Sequence, residues 1–127
     1  MSNVSRYAIG IEVSTLYLDE ESAPEAGRYV FAYTIRIENQ GSEAARLTHR
    51  HWIVTDAEGH VEEVHGEGVV GEQPRLQPGD DYQYSSGVVL PTSLGTMQGS
   101  YELVADDGTR FKARIPAFTL STPRVLH

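Results

Sequence analysis

Between residues 28 and 39, Tyr29, Phe31, Tyr33, Ile35 and Ile37 fall on one face, and Thr34, Arg36 and Glu38 on the other. A period of two is the repeat of a β-strand; wound at 3.6 residues per turn, the same apolar residues would scatter around a helix. This stretch therefore has to be a strand with one face buried, and a strand of that length needs partners.

The rest of the chain supplies them. Tyr7, Ile9, Ile11 and Val13 alternate in the same way, as do Tyr82, Tyr84 and Ser86, and Tyr101, Leu103 and Ala105. Ala45 to Asp56 reads as a long strand with Leu47, His49, His51 and Ile53 on one face and Trp52 and Val54 on the other. Trp52 is expected as a core anchor. Asp56-Ala57-Glu58-Gly59 closes a hairpin into His60–His65, and Asp106-Asp107-Gly108 closes another into Thr109–Leu120. Pro116 interrupts that last strand, which predicts an edge position or a bulge there. Leu18–Gly27 reads as an acidic solvated loop, and Leu90–Gly99 as loop-like. No window carries a helical period, and Pro74, Pro78 and Gly79 deny one to the segment that holds them.

About seven strands with turns at short intervals predict an all-β fold: an antiparallel β-sandwich of fibronectin type III or immunoglobulin-like character. The Cys-Trp-Cys arrangement of a true immunoglobulin domain is missing, because there are no cysteines. The same absence excludes a disulfide framework and a thiolate zinc site, and it fits a reducing cytoplasm. A chain of 127 residues, 39% hydrophobic, suits a single domain spanning 1–127, with 1–5 and 121–127 loosely held. Eighteen acidic residues against ten basic ones give a net charge of -8. That balance argues against a nucleic-acid partner, which calls for a basic stripe. No basic region followed by an apolar run opens the chain, and no apolar stretch approaches the ~20 residues of a membrane helix. A soluble cytoplasmic protein with no membrane contact is the expectation.

One stretch has the spacing of a chemical motif. Gly66-Glu67-Gly68-Val69-Val70-Gly71-Glu72-Gln73-Pro74 reads G-x-G-x-x-G, the dinucleotide fingerprint, and a strand precedes it. In that fingerprint the glycines open a helix whose N-terminus holds the pyrophosphate. Here prolines follow instead of a helix, Glu67 and Glu72 would repel phosphate, and neither Arg nor Lys lies within the loop. What survives is a weaker anion site, with backbone N–H groups around Gly66, Gly68, Val69, Val70 and Gly71 forming a nest. Set against it is a structural reading, in which the glycines shape a crossover between sheets.

His49-x-His51 places two imidazoles on one side of one strand, which can chelate a transition metal if a third ligand such as His60 or His65 arrives. The spacing fixes no third ligand, so no metal site is assigned. Ser85-Ser86-Gly87 lacks a nucleophile elbow, and Asp80-Asp81 and Asp106-Asp107 sit at turns, where aspartate bonds locally. No nucleophile, base and orienting group occur together. An enzyme is not expected, and no cofactor is called for.

The segments taken together resemble the ApaG family. The resemblance lies in Gly27-Arg28-Tyr29-Val30-Phe31-Ala32-Tyr33, in Arg50-His51-Trp52-Ile53-Val54-Thr55-Asp56 and in the Val64–Pro74 block. Tyr84-Ser85-Ser86-Gly87, Met97-Gln98-Gly99-Ser100-Tyr101 and Phe111–Phe118 extend it over nearly the whole chain. It implies a fibronectin type III-like sandwich and a protein-interaction module with an unidentified protein partner. It also implies a genetic tie to cobalt resistance and magnesium efflux. It carries no catalytic residues. The alternative, from the glycine loop, is a protein that binds a nucleotide or pyrophosphate.

Overall fold

The structure, a computed structural model, describes residues 5–123. Its strands are β1 (Ile9–Tyr17), β2 (Tyr29–Asn39), β3 (Ala45–Asp56), β4 (Val61–Glu67), β5 (Arg75–Leu76), β6 (Asp81–Leu90), β7 (Leu94–Ala105) and β8 (Arg110–Ser121). They form two antiparallel sheets, one ordered β1-β2-β6 and the other β4-β3-β7-β8, with β5 also paired to β3. The sandwich expected from the alternating pattern is the fold observed.

The core lies between the sheets. Phe31, Ile35 and Ile37 from β2 are fully buried, and they meet Leu47, Tyr101, Leu103 and Ile115 from the larger sheet. Trp52 is the anchor predicted for it: its ring makes edge contacts with Tyr33 at 5.4 Å, Phe118 at 5.9 Å and Tyr101 at 6.5 Å. Such tilted aromatic pairs place ring edges on ring faces and add about 0.5–1.5 kcal/mol each beyond the area they bury.

Two bulges correct the simple alternation. In β3 the register against β7 slips between Leu47 and His49, leaving Thr48 as an extra residue. Leu47 is therefore buried with Ala45, while beyond the bulge the buried positions become Trp52, Val54 and Asp56. Leu47 does not share a face with His49 and His51, as strict alternation predicted, because one inserted residue flips every side chain after it. In β8 the register slips between the pairs Gly99↔Ile115 and Met97↔Phe118, so Pro116 sits in a bulge, and β8 is also an edge strand. Both positions that Pro116 predicted are occupied at once, and the missing N–H costs no ladder bond.

Leu90–Gly99 is not a loop. β6 runs to Leu90 and β7 begins at Leu94, with a short turn between. Gly95 and Gly99 weaken the local strand signal, and pairing of β7 with β3 on one side and β8 on the other overrides it. Leu18–Gly27 holds two single-turn 3-10 segments, Asp19–Glu21 and Pro24–Ala26, with no buried residue, as its acidity suggested. The expectation of loose ends falls mostly on 1–4 and 124–127, outside the described residues. Ser121 itself closes β8, and the Thr122 N–H donates to the Ser93 carbonyl. Among the described residues no helix is long and apolar enough to cross a membrane.

Candidate functional site

The glycine stretch is not a crossover between sheets. β4 pairs with β3 over residues 49–55, and β5 pairs with the same edge of β3 at Ala45 and Arg46. Both run antiparallel to β3, so residues 68–74 are an excursion within what is otherwise one edge strand. Hydrogen bonds hold the two ends of the excursion together. The Gly68 N–H donates to Thr48 O at 2.7 Å, and the Leu47 N–H donates to Pro74 O at 3.0 Å. The excursion faces the extra residue of the β3 bulge, so the two irregularities accommodate each other.

Each glycine has its own reason. Gly66 lies opposite Arg50 on β3, and a Cβ there would fall 2.6 Å from the Arg50 guanidinium. Arg50 instead folds over the bare backbone, donating from Nη1 to the carbonyls of Glu67 and Gly68, each at 3.0 Å. Gly68 has φ +62°, and a Cβ on it would meet the Glu72 carbonyl oxygen at 2.2 Å. Gly71 stands at φ +83° in a two-residue turn. That turn is closed by reciprocal bonds, Val69 N–H to Glu72 O at 2.8 Å and Glu72 N–H to Val69 O at 2.9 Å. Val69 itself is fully buried and plugs the loop into the core. Arg46, also from β3, donates to Gln73 O at 2.8 Å. The loop contains no cation, yet two arginines from the strand beneath it hold it down.

Val70 is the strained member. Its φ of +43° makes it the one non-glycine residue with positive φ among those described, and it is exposed. With Gly71 it forms a turn of the I′ type, which asks for Asn, Asp or Gly at that position rather than a β-branched residue.

A second cluster lies on the outer face of β3 and β4. His51 pairs with His65 across the strands, and their rings stack at 4.1 Å and 8°. The Glu63 carboxylate reaches both, Oε2 lying 3.5 Å from His51 Nε2 and 3.7 Å from His65 Nε2. His51 Nε2 is buried and without a hydrogen-bond partner. Of the pair singled out in the sequence, only His51 belongs to this cluster: His49 sits beside the bulge, with Nδ1 3.0 Å from Thr48 Oγ1. His60 is elsewhere, bound to Asp56 at 3.1 Å. Glu63 was invisible to spacing in the sequence, because only the β3–β4 register brings it alongside His51. A groove of about 280 Å³ runs past the two stacked histidines, with His49, Ser100, Glu102 and Lys112 along it.

Other sequence candidates have structural roles. Burial pushes the pKa of Asp56 up, but the backbone N–H groups of His60 and Glu58 and the His60 side chain outweigh this and hold it below its ordinary value. Asp106 accepts from Arg75, and Asp107 from the Tyr7 hydroxyl. Ser85 Oγ lies 2.7 Å from Thr34 Oγ1 on the exposed face of the smaller sheet. Tyr84 and Tyr101, not singled out beforehand, meet hydroxyl to hydroxyl at 2.5 Å inside the sandwich, where burial raises the pKa of both.

Finally, β4 is the outer strand of its sheet. Six of its seven residues are exposed, Val61 and Val64 among them. The Gly68 N–H and the His60 C=O both face β3, so by alternation the backbone polar groups of Val61, Glu63 and His65 face outward.

The description of the ApaG domain matches residues 19–105, a span that includes the arginine-braced glycine loop. The chain belongs to the ApaG family. It is 61% identical to Protein ApaG of Stenotrophomonas maltophilia and 60% identical to Protein ApaG of Thiobacillus denitrificans, each over the full length of both chains. A crystal structure of a Bordetella pertussis protein named ApaA superposes with a TM-score of 0.93 at 48% identity, covering 96% of this chain and 99% of that one. Family membership carries the fold and agrees with the resemblance read from the glycine block.

Proposed function

We propose that this ApaG-family chain is a non-enzymatic, cytoplasmic binding module that takes an extended segment of a partner protein as an additional strand along β4. The observation that carries this reading is the open edge of β4. Its outward backbone groups can form ladder bonds, and its exposed valines offer apolar contacts on either face. Glu62, Glu63 and Glu67 line the same strand, and the whole chain is strongly acidic, so the segment that fits carries basic residues. These acids also keep one β4 from pairing with another. Any bearing on cobalt resistance or magnesium efflux then passes through the partner.

The nucleotide reading has less support. Backbone N–H groups of Gly68, Val69 and Glu72 are already committed within the protein, no helix follows the loop, and Glu67 and Glu72 flank it.

Val61→Pro tests the docking reading, because the N–H it deletes faces the open edge and not β3. Partners captured from cell lysate by the wild-type chain and lost by the folded variant support strand addition. Partners retained equally by both overturn it. Titration with ATP or a dinucleoside polyphosphate, following the amides of Gly66, Gly68 and Gly71, tests the alternative; movement confined to that loop would favour it.

A further inference from the structure

The stacked histidine pair points to a second site. We infer that His51, His65 and Glu63 form a binding site for a divalent transition-metal ion of the zinc class, held through the two Nε2 atoms and one carboxylate oxygen.

The geometry asks for an ion. Glu63 Oε2 lies 3.5 Å and 3.7 Å from the two imidazole nitrogens, and the three ligand atoms are all within 4.8 Å of one another. A point equidistant from atoms so arranged lies ~2.4 Å or less from each, close to the 2.0–2.2 Å of zinc–imidazole and zinc–carboxylate bonds. The nitrogens are slightly too far from the carboxylate for good hydrogen bonds, yet the three ligand atoms lie within reach of a single ion. His51 Nε2 is buried with no partner in the protein, and a buried polar atom of that kind calls for water or an ion. The rings stand stacked and nearly parallel, which aims their in-plane lone pairs side by side, so the exposed His65 ring turns toward His51 and Glu63 when the ion binds.

The scaffold suits the task. His51 and His65 are register partners on neighbouring strands, and Glu63 follows two residues before His65 on the same face. Strand pairing and not a flexible loop holds the three residues together, so binding takes a side-chain rotation and no backbone rearrangement. Two imidazoles and a carboxylate select borderline ions such as zinc over magnesium, which prefers six oxygens. Three protein ligands leave a tetrahedral ion one further position for water or an outside group.

The test is calorimetric titration of the full chain with Zn²⁺ in a chelator-controlled buffer. Wild type is compared with His65→Ala, Glu63→Gln, His49→Ala and His60→Ala, each checked for folding by circular dichroism. His65 and Glu63 are exposed, so their variants keep the fold. One equivalent of Zn²⁺ is expected to bind, weakened by about tenfold or more in His65→Ala and Glu63→Gln and unchanged in His49→Ala and His60→Ala. The nitrogen resonances of His51 and His65 should move together, and millimolar Mg²⁺ should not compete. Absence of saturable binding overturns the inference. So does binding that survives loss of His65, or that falls equally when His49 or His60 is removed.

Discussion

The Arg50 guanidinium occupies the space where a side chain on Gly66 would begin, 2.6 Å from the position of its Cβ. The sixth residue of β3 thus explains a glycine on the paired strand β4, and the motif's first glycine needs no ligand to account for it. Arginine and glycine act as one unit, the one supplying donors for the loop carbonyls and the other supplying room.

Gly66→Ala should displace the mobile end of Arg50 and free the loop carbonyls, at a cost of about 1–2 kcal/mol in urea denaturation. Gly68→Ala should cost more, about 3 kcal/mol or above. It forces a left-handed alanine and meets the Glu72 carbonyl, which is backbone and cannot swing away. With Arg50 already replaced by Ala, Gly66→Ala should lose most of its effect; full additivity would break the coupling.

Val70→Asn should stabilise the protein by about 1 kcal/mol, since asparagine tolerates the left-handed conformation that valine resists. The exposed valine gives up little burial. A thermal melt that falls instead of rising would show that Val70 makes contacts worth more than its strain.

The buried Tyr84–Tyr101 hydroxyl pair predicts a particular pattern in a double-mutant cycle. Either Tyr→Phe change alone strands one hydroxyl in the core and should cost about 1–3 kcal/mol. Making both changes should cost less than the sum of the two. In absorbance titration neither tyrosine should ionise near the ordinary phenol pKa, because burial raises both.

Acid should destabilise the fold through Asp107. The Tyr7 hydroxyl first, then the Thr109 backbone N–H, hold its carboxylate down to about 2. A carboxylate with a depressed folded-state pKa contributes stability above its ordinary value of about 3.9, and that contribution is lost as pH falls toward 2. Melting temperature should therefore drop between about pH 4 and 2. Asp107→Asn should flatten that drop in part, leaving the remainder to Asp56 and Asp106, whose values are also lowered.

Much of this architecture could be read from residue order, because strand alternation and turn chemistry are local. The period of β2, the Asp-Gly turn before β8 and the awkward Pro116 all led directly to elements of the sandwich. Where the reading failed, a long-range contact was responsible. The bulge at Thr48 moved Leu47 to the core, and nothing near Thr48 announces it. Leu90–Gly99 became strand because β3 and β8 supply partners to a glycine-rich segment. His51 found His65 and Glu63 in place of His49 through the register of β3 against β4.

The sequence by itself determined that this chain is a β-sandwich, that it carries a net charge of -8, and that its residues match the ApaG family. Those properties depend on periodicity, charge and the order of residues, which no folding step can change. Tertiary structure alone decided what the glycines are for and which histidines meet. Both depend on which backbone lies against which at a separation of a few ångströms, and that is set only when β3 takes β4, β5 and β7 as neighbours.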